Sequence, residues 1–85
     1  MDLRLLRYFV AVASDGNFNR AAERLHIAQP PLSRAIQQLE AHVGAELPDR
    51  SVRPLRLTPV GKLLYEQAKQ ILAGIWDQQL GKNAA

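Results

Sequence analysis

No cysteine occurs in the 85 residues. Neither a disulfide framework nor a thiolate metal site can staple the chain, and no redox compartment can be read from it. Long apolar runs are missing too, because Arg, Asp, Asn or Gln interrupts each one well short of the roughly eighteen residues that a membrane span needs. Asp2, Arg4 and Arg7 break up any apolar core near the start, so no signal peptide is expected and a soluble cytoplasmic protein is. Internal repeats, low-complexity tracts and long linkers are absent. So are a nucleophile motif, a phosphate-cradling glycine loop and clustered metal ligands, so no enzyme, cofactor or metal is expected. His26 is assigned to a turn instead, and His42 to the solvated end of a helix, where positive charge suits the dipole.

What remains is one small domain that must be held by apolar packing or by a partner. Eleven Lys and Arg against eight Asp and Glu leave a surplus of only three, so the distribution carries more than the total. Arg50, Arg53, Arg56 and Lys62 lie in a stretch without an acidic residue, whereas acids gather at Asp2, Asp15, Glu23, Glu40, Glu46 and Asp49. One local patch is therefore basic.

Leu3, Leu6, Phe9, Val10 and Ala13 recur at helical spacing, and Asp15-Gly16-Asn17 supplies turn-forming residues after them. Asn19 is a suitable N-cap for a short second helix over Arg20-Ala-Ala-Glu-Arg-Leu25. His26, a residue type tolerant of positive φ, falls where the chain must turn. A third helix is expected from about Gln29 to Val43, with Gly44 as its C-cap. Beyond it, Ser51 to Leu57 alternates around Pro54 like a small β wing. Thr58 and Pro59 then open a fourth helix that reaches about Leu80 and is about 33 Å long, too long for a small three-helix domain to cover. Leu64, Ala68, Ile71 and Ile75, with Leu72 and Trp76 alongside, form an apolar seam on it that calls for dimerisation.

Small and apolar residues at Ala22, Leu25, Ile27, Leu32 and Ile36 match the packing demands of a helix-turn-helix spanning about 18–37. With Ile36 at the centre of the buried stripe and about 100° per residue, Pro30, Arg34, Gln37, Gln38 and Ala41 fall on the opposite face, with Ser33 on the flank. That face carries no acid. Arg can contact guanine edges or phosphates and Gln can read adenine, so the face suits a major groove. Pro30 and Pro31 sit where a helix's first N–H groups have no intrahelical acceptor, so they fix the backbone of that turn without losing bonds.

The stretch "FNRAAERLHIAQPPLSRAIQQLE", preceded by "LRLLRYFVAVA" and followed by "RPLRLTPVG", resembles the N-terminal DNA-binding domain of LysR-type transcriptional regulators. The likeness covers about Leu3 to Gly61, and the helix beyond resembles that family's linker helix. It implies a mainly α fold: a winged helix-turn-helix over 1–58, a linker and dimerisation helix over 59–80 and a tail over 81–85. It also implies double-stranded DNA as partner, with a homodimer formed through linker helices on an interrupted inverted repeat, and a tetramer as a further expectation for the full-length protein. By position, Gln29, Pro30, Pro31 and Ser33 are carried over to base edges, Arg34 to base or phosphate, and Arg53 of the wing to the minor groove. Gln37 and Arg50 join the expected DNA-binding set, and Leu64, Ala68, Ile71, Leu72 and Ile75 the dimer set. The family's effector-binding domain, which senses a small-molecule inducer, has no counterpart here, so a fragment of a longer protein is expected. "IAQPPLSR" and "RPLRLT" resemble branches that control the breakdown of aromatic compounds.

Three positions depart from the family pattern. Ala35 stands where Gln is frequent, which is expected to remove a polar base contact. Pro48 replaces a usual Phe, an aromatic anchor worth a few kcal/mol under the wing. Ala28 replaces a capping Ser at a cost of about 1 kcal/mol. The competing reading is a helical module that dimerises through Pro59 to Leu80 and binds protein rather than DNA.

Overall fold

The computed structural model describes the backbone of residues 2–84 and the side chains of residues 2–74. The chain forms α1 (Leu3–Asp15), α2 (Phe18–Leu25), α3 (Gln29–Val43), β1 (Pro48–Asp49), β2 (Arg56–Leu57) and α4 (Pro59–Ala84). The two strands pair antiparallel, with Pro48 opposite Leu57 and Asp49 opposite Arg56.

Each helix starts and stops for a local reason. The Asp2 carboxylate accepts the Arg4 N–H at 2.9 Å and caps α1. Gly16, at φ 64°, ends that helix two residues beyond Ala13, the last apolar position of its sequence stripe. The expected second cap moves as well. Asn17, not Asn19, accepts the Arg20 N–H at 2.9 Å, so α2 begins at Phe18. His26 closes α2 in the left-handed region at φ 59°, as its residue type suggested. Ile27 N–H then reaches back to the Ala22 carbonyl at 3.1 Å, which sets the tight turn into α3. Ala28 extends no capping side chain to α3, in line with the missing Ser.

The core lies where α1, α2, α3 and the start of α4 meet. Phe9, Val12, Leu32, Ile36, Leu39 and Leu47 are fully buried there, each contributing about 1.5–3 kcal/mol. Ala21 and Ala22 are buried too, so α2 approaches its neighbours through methyl groups. Tyr65 of α4 meets Phe9 edge to face, with ring centroids 6.5 Å apart, and its hydroxyl lies 2.9 Å from Ser14 Oγ.

Pro48 occupies the position where an aromatic anchor was expected to be lost, and its smaller ring is fully buried at the base of the wing. As the first residue of a two-residue strand, it also places its missing N–H where a sheet tolerates it.

One residue, Leu47, joins the last turns of α3 to α4. The Leu47 N–H donates to Glu40 Oε2 of α3 at 2.9 Å, and the Leu47 carbonyl accepts the Thr58 N–H at 2.8 Å. Thr58 Oγ1 donates to the Glu46 carbonyl and accepts the Gly61 N–H at 3.0 Å, capping α4 as expected. A Cβ at Gly61 would collide with the Leu47 carbonyl, so only glycine lets α4 pack this closely. The fourth helix continues to Ala84, so the stretch from 81 to 84, expected as tail, is helical. At 26 residues it is about 39 Å long.

Candidate nucleic-acid interface

Pro30 and Pro31 stand in the first turn of α3, where the backbone N–H groups have no helical acceptor. Leu32, Ala35, Ile36 and Leu39 turn inward. Pro30, Pro31, Arg34, Gln37, Gln38 and Ala41 are exposed, and Gln29 and Ser33 half-buried, so the face derived from helical periodicity is the one the fold leaves uncovered. Gln29 Nε2 donates to Ser33 Oγ at 3.0 Å, which orients two of the expected reading residues against each other. Arg34 has no ion-pair partner among the described residues.

Ala35 is only 8% exposed and belongs to the core cluster. Its methyl group stops at the edge of the core, on the lining of the cleft that Arg34 and Gln38 border. A longer side chain at this position would instead occupy the space between α3 and α1.

That space is one of two clefts bordering the exposed face. On one side, Pro31, Arg34, Ala35 and Gln38 of α3 meet Arg4, Leu5 and Tyr8 of α1. On the other, Gln29 lies with Gly16, Asn17, Phe18 and Asn19 at the start of α2 and with Arg53 and Leu55 of the wing. The fold thus brings Arg53 to the reading head. Its guanidinium is meanwhile held by wing carbonyls, donating to Arg50 O at 2.6 Å and Val52 O at 3.1 Å. Arg4, Tyr8 and Asn19 were not assigned to this interface from sequence. Nothing in their spacing could have done so, because only the angle at which α1 and α2 cross α3 places them there.

Arg50 differs from Arg53. Its two terminal nitrogens face the two Glu40 oxygens at 3.2 and 3.3 Å, and its guanidinium carbon lies 5.6 Å from the Phe18 ring centre. This fork ties the wing to α3 and α2 rather than standing free, so the basic stretch divides into a bracing Arg50 and outward Arg53 and Arg56. At the wing tip, Asp49 accepts the Ser51 N–H at 3.0 Å and its hydroxyl at 2.6 Å. These bonds hold its carboxyl below the ordinary carboxylate range.

The seam on α4 also divides. Ala68 is 0% exposed within the domain's own core, so it is corrected from a partner-facing to an intramolecular position, and Leu64 packs half-buried against that core. Ile71 is 46% exposed. Leu72 lies half-buried in a shallow groove with Arg7, Val10, Ala11, Arg24 and Leu25. Ile75 and Trp76 lie outside the residues with described side chains.

Residues 3–62 match the family described as "Bacterial regulatory helix-turn-helix protein, lysR family". A probable cat1 operon transcriptional activator of Acinetobacter lwoffii is 57% identical over 79 residues, which are 93% of this chain and 26% of that protein. The chain thus spans about a quarter of that relative's length. Among solved structures, the BenM DBD in complex with benA site 1 DNA superposes with a TM-score of 0.91 at 46% identity, covering 99% of this chain and 93% of that one. A complex of the CbnR DBD with DNA superposes at 0.83 with 44% identity, covering the whole of both chains. With its helix-turn-helix, wing and capped fourth helix in the same arrangement, the chain belongs to the lysR family of bacterial regulatory helix-turn-helix proteins.

Proposed function

We propose that the chain is the DNA-binding part of a cytoplasmic transcriptional regulator and seats the start of α3 in the major groove of double-stranded DNA. The observation that carries this reading is the acid-free exposed face of α3, which begins in a proline-fixed turn and is bordered by clefts holding Arg53 and Arg4. A first turn already fixed lowers the ordering cost of entering the groove. Gln29, Pro30, Pro31, Ser33 and Gln37 meet base edges, Arg34 a base or phosphate, and Arg53 swings from its wing carbonyls to the minor groove. The likeness to two solved DNA complexes supports the reading.

The binding unit is a homodimer on an interrupted inverted repeat. Exposed Ile71 and half-buried Leu72 of α4 form its contact. The stretches "IAQPPLSR" and "RPLRLT" support control of genes for aromatic-compound breakdown, with inducer sensing and tetramer assembly left to a further domain of the longer protein.

Replacing Arg34 by Ala tests the central claim. Affinity for a duplex selected from a random pool should fall about 5- to 100-fold, equivalent to about 1–3 kcal/mol for a base-reading contact. Fluorescence anisotropy reads the change, and an unchanged affinity would overturn the placement of α3.

A further inference from the structure

We infer that the first two turns of α1 form a second phosphate-binding rim, with Arg4 supplying its charge and the Tyr8 hydroxyl a neutral hydrogen bond. The inference rests on the seating of α3 in a major groove. An α-helix with its side chains is about 10–12 Å across, and the groove about 12 Å wide. A helix seated there fills it, so the phosphate walls press on whatever flanks the helix on both sides. On one flank stands the wing with Arg53. On the other stands α1, with Arg4, Leu5 and Tyr8 facing Pro31, Arg34 and Gln38 across an open cleft.

Three features fit this flank to an anion. Arg34 and Arg4 border the same cleft from opposite elements, so a phosphate entering it meets cationic groups from both sides. Ala35 forms its floor with a methyl group and leaves the room that a longer side chain would fill. Among the described residues Arg4 is engaged only by Asp2, at 3.2 Å, with the two side chains 63% and 52% exposed. An ion pair that exposed contributes little, so a strand of phosphates can displace the carboxylate. Asp2 keeps its other task in either case, because it caps α1 through the Arg4 backbone N–H.

Arg7 provides an internal control. It has the same charge and the same helix, but it lines the separate groove formed with Val10, Arg24 and Leu72. Binding of the 85-residue chain to a random-sequence 30-base-pair duplex and to a pool-selected duplex would be titrated from about 50 to 200 mM salt. Arg4→Gln should weaken both duplexes alike, about 3- to 10-fold, and lower the slope of log affinity against log salt by about 1, as one lost phosphate contact requires. Arg7→Gln should leave the slope unchanged and Arg4→Lys should restore it. Tyr8→Phe should cost about 2- to 3-fold without altering the slope. An Arg4→Gln slope equal to that of Arg7→Gln overturns the rim. If Arg34→Ala is also silent on the selected duplex, the seating of α3 falls with it. An intact Arg34 effect confines the failure to α1.

Discussion

At the residue scale, His26 shows how a side chain can be dispensable where its backbone is not. It sits at φ 59°, a region that costs an L-residue about 1 kcal/mol and glycine almost nothing. His26→Gly should therefore stabilise the domain by about 0.5–1 kcal/mol, and His26→Val should destabilise it, as read from urea unfolding midpoints. Equal midpoints for the two variants would refute a backbone role. Residue type alone identified this position, as it did Gly44 at φ 80° and the Thr58 cap, because such preferences act within a few residues. Ala35 could not be placed in this way, for the complementary reason. It lies one step along the helix from Arg34, and a single step of 100° separates the uncovered face from the core.

At the element scale, α1, α3 and α4 were legible because their apolar residues recur with the helical period over three turns or more. The wing was legible only as an interruption. Its strands are two residues each, too short for any alternation to show, and its position comes from contacts distant in sequence. Leu55 N–H reaches the Gly16 carbonyl at 2.9 Å, and Arg50 grips Glu40. Glu40 was absent from the expected site, yet its carboxylate serves Leu47 N–H and Arg50 together. Glu40→Gln keeps an acceptor but loses the charge that holds the fork. Stability should drop by about 1 kcal/mol, a value moderated by the 38% exposure of the Arg50 side chain. A urea midpoint equal to that of the unaltered chain would dismiss this bracket as decoration.

At the scale of the whole molecule, the apolar pattern of α4 mixed two jobs that a one-dimensional stripe cannot separate. Leu64 and Ala68 complete the domain's own core, and Ile71, beyond them, stands 46% exposed. Ile71→Asp should consequently leave the fold intact while giving monomers in sedimentation equilibrium, because a charge would have to be buried at the contact between copies. A dimer that persists at micromolar concentration would move the contact elsewhere on the chain. Leu47 gives this arrangement a mechanical meaning. Its N–H is anchored on the recognition helix and its carbonyl on the cap of α4, with Gly61 pressed against it. Through this residue the last turns of the recognition helix are fixed to the start of the long helix. The long helix therefore acts as a rigid arm of about 39 Å, and a tilt of about 10° imposed at its far end shifts that end by about 7 Å relative to the DNA-facing surface. Two such arms joined together would work as calipers, whose opening is set by how the arms cross.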